Sequence, residues 1–307
     1  MLCSTLICQP VRPTVSVKRM GSEKNEEYLH YASKSQKIRG LFSRSVKITP
    51  SSKSSEIRSF ILSDPYLKDA YSEMYLALRS SLPKNKDGVI IEVGAGSGVG
   101  KIWIPEIYCT DLRIELGIDI VFDGTRMPFA DQSVCAFVMK DSLHHLANVE
   151  KFLDEASRCL KVGGAVVACE PYWGLLASFI YRFLHPEPFN KKQLIWNRVS
   201  RDAWDSNQAL PWIILRRDVR QLREGWPELE VRELGPILGP SYLLSGGVFG
   251  RTFIPSSLLT KLRNREAMWG RWFNPFRFEF VFSLTKQDRF MPATQENSSV
   301  HSTQNVD

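Results

Sequence analysis

Glycines occupy alternate positions at Gly94, Gly96 and Gly98, directly behind the β-branched run 89–93 and immediately after Glu92 and Val93. Such spacing lets a backbone turn sharply and admits a ligand close to the main chain. A loop built for a dinucleotide receives a pyrophosphate on its amide groups, which the negative charge of Glu92 would repel. A ligand with a cationic amino acid end tolerates that charge better. The spacing G-x-G-x-G, in place of G-x-G-x-x-G, also argues against a nucleotide-dependent dehydrogenase.

Further acids and imidazoles follow at the ends of apolar runs. Asp111 closes the run 108–111, where an acid can accept hydrogen bonds from both ribose hydroxyls or serve as an ordinary cap or turn residue. Asp123 and Gly124 follow a third short run. Asp141 follows a fourth, with His144 and His145 just beyond. Imidazole titrates near neutrality and could take a proton from a hydroxyl or amine; alternatively, the pair packs against or caps the helix after the fourth run. Tyr172, Trp173, His185 and Glu187, with prolines at 186 and 188, offer aromatic and polar lining for a pocket on a rigid loop. The prolines also suit a stiff connector.

The elements that must position these groups are legible from periodicity. Apolar residues at 67, 70, 71, 74, 75 and 78 predict a helix over 64–81. The runs at 89–93, 107–110, 118–122 and 134–139 read as strands, the first and last buried on both faces as in a parallel sheet. Residues 149–160 form an amphipathic helix expected to end at Gly163–Gly164, with the next strand at 165–169. Strand, helix and strand in that order make a right-handed βαβ unit, and the whole pattern argues for an open, mostly parallel α/β sheet. Later elements are expected as a helix at 218–224, a strand at 229–234, a helix at 256–269 and a strand at 277–284.

Composition sets the outer limits. The chain has 307 residues, 43% hydrophobic and 24% charged, as in soluble globular proteins, with a net charge of +7. Its apolar stretches fall short of the roughly 18 residues that a membrane span needs, so no integral membrane contact is expected. Six scattered cysteines without a C-x-x-C pair support neither a disulfide framework nor a zinc site. No metal is therefore expected, and a reducing, cytoplasmic location is. Residues 1–60 read as a flexible basic arm, with the domain at 61–286 and a disordered polar tail at 287–307. The arm lacks interleaved aromatic and basic residues, which argues against nucleic acid as partner.

The ordered runs EVGAGSG, TD, FDGTRMPFADQSVCAF, DSLHHL and EASRCLKVGGAVVACEP resemble the class I S-adenosylmethionine-dependent methyltransferases of the type 11 group. The resemblance implies a Rossmann-like α/β fold with helices on both faces of seven strands, the last antiparallel and supplied by 277–284. It assigns Glu92, Gly94, Gly96 and Gly98 to the methionine end of the cofactor, Asp111 to the ribose, and Asp123 with Gly124 to the adenine. Asp141 would sit near the sulfonium and the transfer site. Asp141, His144 and His145 are then the candidate catalytic residues. Insertions in 172–217, with Tyr172, Trp173, His185 and Glu187, would form the acceptor pocket. The expected activity is methyl transfer to an oxygen or nitrogen of a small molecule or glycan. The alternative is a catalytically silent methyltransferase-fold regulator or scaffold. One departure from the family pattern supports that alternative: the stretches between Gly98 and Asp111, and between Asp111 and Gly117, leave room for two helical turns and a bare loop.

Overall fold

The computed structural model describes residues 53–85, 87–185, 187–197, 206–247 and 254–288. The expected arm lies outside them up to residue 52, as does the tail from 289 onward. Residues Lys53–Ser63 form helix α1, which begins inside the stretch expected to be a flexible arm and runs past its boundary at 60.

Helix α2 (Pro65–Ser80) starts where the sequence placed it. The Asp64 side chain accepts a hydrogen bond from the Leu67 amide at 2.9 Å, and Pro65 fits the first helical position. Its stripe of Tyr66, Leu67, Ala70, Tyr71, Met74, Tyr75 and Leu78 is buried against one face of the sheet, with Ile90, Val138, Val167 and Val281. Large apolar side chains such as Leu67, Met74 and Leu78 each contribute about 1.5–3 kcal/mol of burial.

The sheet has seven strands in the order β3-β2-β1-β4-β5-β7-β6. They are β1 (Val89–Val93), β2 (Ile107–Asp111), β3 (Ile120–Val121), β4 (Val134–Lys140), β5 (Leu160–Pro171), β6 (Leu229–Ile237) and β7 (Glu279–Lys286). β1 to β5 pair in parallel, while β7 runs antiparallel to both of its neighbours. The Rossmann-like arrangement with an antiparallel last strand is therefore present. The second face is covered by α3 (Val149–Cys159), by the helical stretch 210–217 and by Trp196 and Trp226.

Two expectations are corrected. Gly163 and Gly164 do not end α3: the helix stops at Cys159, because Leu160 is already extended and pairs with Val134. The glycines instead lie in the register shift before Ala165 pairs with Ala136, as bulge glycines do. The third strand shrinks to Ile120–Val121 at the sheet edge. The connections after Gly98 and Asp111 are as short as the sequence requires: a 3-10 turn at Val99–Ile102 and no helix between β2 and β3.

Candidate active site

The glycine loop leaves the carboxyl end of β1 with Gly94, Gly96 and Gly98 all at positive φ (73°, 54° and 63°). Their surroundings differ. A Cβ on Gly94 would lie 2.7 Å from Ser142 Cβ, and one on Gly98 would lie 2.7 Å from the Gly117 carbonyl oxygen. Around Gly96, among the described residues and apart from its own chain neighbours, no atom lies within 4 Å of that position. The loop is thus clamped at both ends and open in the middle. Arg58 of α1 donates to the Gly98 carbonyl at 2.7 Å and reinforces the clamp.

Glu92 lies behind the loop, 1% exposed. The Tyr75 hydroxyl donates to its Oε1 at 2.6 Å and the Cys109 thiol to its Oε2 at 3.3 Å. Burial pushes its pKa up to about 7 against the lowering effect of those two donors. Its carboxyl packs on Gly100, where no Cβ would fit. Glu92 is therefore tied to the scaffold beneath the loop through both oxygens.

Asp111 ends β2 with its carboxylate turned back to the loop. Oδ2 accepts from the Gly96 amide at 3.1 Å, and Oδ1 accepts from the Arg113 amide and guanidinium. Asp123 accepts from the Thr125 amide and hydroxyl, closing a tight turn. Gly124 is buried against Val93, Leu146 and Phe152, 3.5 Å from where its Cβ would sit.

At the end of β4, Asp141 sits at a φ of 51°, uncommon for a residue with a side chain. Its Oδ2 pairs with Lys140, while Oδ1 is buried with no hydrogen-bond partner of standard geometry among the described residues. Burial works against the Lys140 charge, but Asp141 together with Tyr71, Tyr242 and Glu279 outweighs it and raises the ammonium well above its usual range. Glu279 of β7 shares this interior; burial and the Asp141 charge lift its carboxyl well above the usual carboxylate range.

Beyond Asp141 the backbone turns through a short 3-10 segment, Leu143–His145. Glu170, at the end of β5 and fully buried, holds this turn. Its Oε1 accepts from the Ser142 and Leu143 amides at 2.9 and 2.7 Å, and its Oε2 lies 2.5 Å from His144 Nδ1. On the other side of the ring, His144 Nε2 is 3.5 Å from Glu187 Oε2. Burial disfavours the imidazolium, yet Glu170 and Glu187 overcome it and raise His144 to about 10. Burial would likewise raise Glu187, but His144, His145 and His185 hold its carboxyl well below the usual range. Ser206 and Gln208 also donate to Glu187 Oε2, at 2.9 and 3.0 Å. His185 accepts from the Glu187 amide and, being buried, titrates below its ordinary value.

Of the expected acceptor-side residues, His185 and Glu187 thus join His144 and His145 in one cluster. Tyr172 and Trp173 instead pack on Phe280 of β7, with the Arg216 guanidinium 5.1 Å from the Trp173 ring. Sequence reasoning missed Glu170, Ser206 and Gln208 as members of the cluster. The one available signal was an acid closing the apolar strand before Pro171. A cavity of about 240 Å³ lined by Pro83, Asn85, Cys135 and Gly163 opens at the amino ends of the strands. Ligands of open α/β sheets bind at the carboxyl ends, so this cavity is unrelated to the loop.

Residues 91–168 match the family model described as a methyltransferase domain. No curated protein matches the chain. Among solved structures, the geranyl diphosphate C-methyltransferase from Streptomyces coelicolor A3(2) is 14% identical, with 81% of this chain and 87% of that chain covered and a TM-score of 0.41. A geranyl diphosphate methyltransferase in complex with SAM is 17% identical over 72% and 87% of the two chains, with a TM-score of 0.40. The YcgJ protein from Bacillus subtilis is 13% identical over 71% and 99%, with a TM-score of 0.35. The stretch matched as a methyltransferase domain, 91–168, is the one in which the sequence motifs carry the same resemblance.

Proposed function

We propose that this chain transfers the methyl group of S-adenosylmethionine to an oxygen or nitrogen of a small molecule or glycan. The observation that carries the reading is the open space over Gly96, flanked by the buried carboxylate of Asp111. The residues fit the cofactor: a loop with room at its centre and an acid closing β2. Gly94, Gly96 and Gly98 would hold its methionine end, Asp111 its ribose, and Asp123 with Gly124 its adenine.

When bound, the cofactor supplies a methyl group on a good leaving group. The protein has mainly to align the acceptor atom and exclude water. His145, 25% exposed, is the accessible imidazole of the pair and would face the acceptor. His144, 2% exposed between two carboxylates, orients the turn that carries His145. Glu187 and His185 face the same cluster and would line the acceptor pocket.

The test is titration calorimetry with S-adenosylmethionine and with S-adenosylhomocysteine, followed by transfer of labelled methyl to a panel of alcohols, amines and glycans. Saturable binding with transfer to one acceptor class supports the reading. Absence of binding supports the second reading, a silent methyltransferase-fold scaffold, which the tight contact of Gly98 with Gly117 favours.

A further inference from the structure

We propose that His144, His145 and Glu187 form a binding site for a divalent cation of the zinc class. The ligand atoms are His144 Nε2, His145 Nε2 and Glu187 Oε2, and the ligating atoms of this group all lie within 4.8 Å of one another. The two imidazole nitrogens stand 3.5 and 3.7 Å from Glu187 Oε2, too far for good hydrogen bonds. They are instead close to the edge of a tetrahedron around zinc, which is roughly 3.3–3.6 Å for bonds of 2.0–2.2 Å. The two imidazole nitrogens, within 4.8 Å of each other, would close toward that edge around one ion.

The surroundings support the same site. His144 offers Nε2 because its Nδ1 is engaged by Glu170 Oε2 at 2.5 Å. A carboxylate behind a ligating imidazole fixes the ring and raises its basicity, a common second layer of metal sites. Glu170 is itself immobilised by two backbone amides. Glu187 is oriented by Ser206 and Gln208, and Gln208 Oε1 is buried with no hydrogen-bond partner among the described residues. Two imidazoles and one carboxylate are a ligand set that zinc accepts while keeping a fourth position open. On the methyl-transfer reading, that position would take the acceptor's hydroxyl or carboxylate oxygen; the binding of the ion does not depend on that reading. Sequence alone carried no such signal, because the carboxylate lies far along the chain from the paired histidines.

The experiment is a zinc titration of the chelator-stripped, full-length protein against a chromophoric competitor, with metal content checked by mass spectrometry. The expected result is one ion per chain and a rise in melting temperature. His145→Ala and Glu187→Gln should abolish the stoichiometric binding. Glu170→Gln, which touches no metal, should weaken it about 10–100-fold, and circular dichroism would establish that each variant is folded. No stoichiometric binding by the wild type, or binding that survives in folded His145→Ala, overturns the site. Calorimetry with S-adenosylmethionine on the same stripped protein reports separately on the cofactor, so failure of one proposal is distinguishable from failure of the other.

Discussion

The Gly96 amide donates to Asp111 Oδ2 at 3.1 Å, joining the open centre of the glycine loop to the end of the neighbouring strand. The carboxylate that would hold a ribose thus also fixes the loop that would receive the methionine end. Replacing Asp111 by Ala removes both effects. The expected loss of cofactor affinity is about 1.5–3 kcal/mol, the range for hydrogen bonds to a charged group. Titration calorimetry measures it directly, and an unchanged dissociation constant would remove Asp111 from the site.

Gly96 and Gly98 should separate stability from binding. Gly96→Ala meets no neighbour and costs only the left-handed backbone strain, about 1–2 kcal/mol. It should leave a folded protein with weakened cofactor binding. Gly98→Ala adds to the same strain a collision with the Gly117 carbonyl. Its melting temperature should fall further than that of Gly96→Ala, and equal losses would show that the Gly98–Gly117 approach is not rigid.

Glu92 predicts a pH dependence of stability. Its folded pKa of about 7 exceeds the ordinary 4.5, so between these values the folded chain keeps a proton that the unfolded chain has lost. Stability contributed by this group is therefore full below the lower value, falls as pH rises through the window and levels off above about 7. The total is about 3 kcal/mol, since each tenfold change in proton affinity corresponds to about 1.36 kcal/mol. Denaturant unfolding across that window should show the decline in the wild type and a shallower one in Glu92→Gln.

Arg58 offers a test of how α1 serves the loop. Arg58→Ala deletes the hydrogen bond to the Gly98 carbonyl, worth about 1 kcal/mol at a partly buried site. Hydrogen exchange at the loop amides should accelerate, with little change in global stability. Unaltered exchange would mean that the Gly94–Ser142 and Gly98–Gly117 contacts suffice.

The fold was legible because its signals are local. Buried β-branched runs, the Asp64 cap and the α2 stripe each declare an element within a few residues. The loop and its acids were legible for the same reason, since each sits at the end of a strand that can be seen in the sequence. The partners of Glu92 were not, because Tyr75 and Cys109 reach it from separate elements. Glu170 was hidden in a strand otherwise read by its apolar residues, and its bond to His144 exists only because β4 and β5 are adjacent. Gly163–Gly164 misled because glycine after an amphipathic run suggests a helix stop, whereas pairing of Leu160 with Val134 ended the helix earlier.

The position of β7 governs how the chain can be made. The last strand to be synthesised is inserted between β5 and β6, so the free edge of β5 stays uncovered until residue 286 has left the ribosome. Until then the central strands expose a long apolar border of the kind that recruits other unfinished chains. Folding therefore closes from the C-terminus, over contacts distant in sequence, and such non-local pairing is slow. A nascent chain halted before β7 would hold every residue of the glycine loop and still be a client for chaperones, its cofactor half awaiting the final strand.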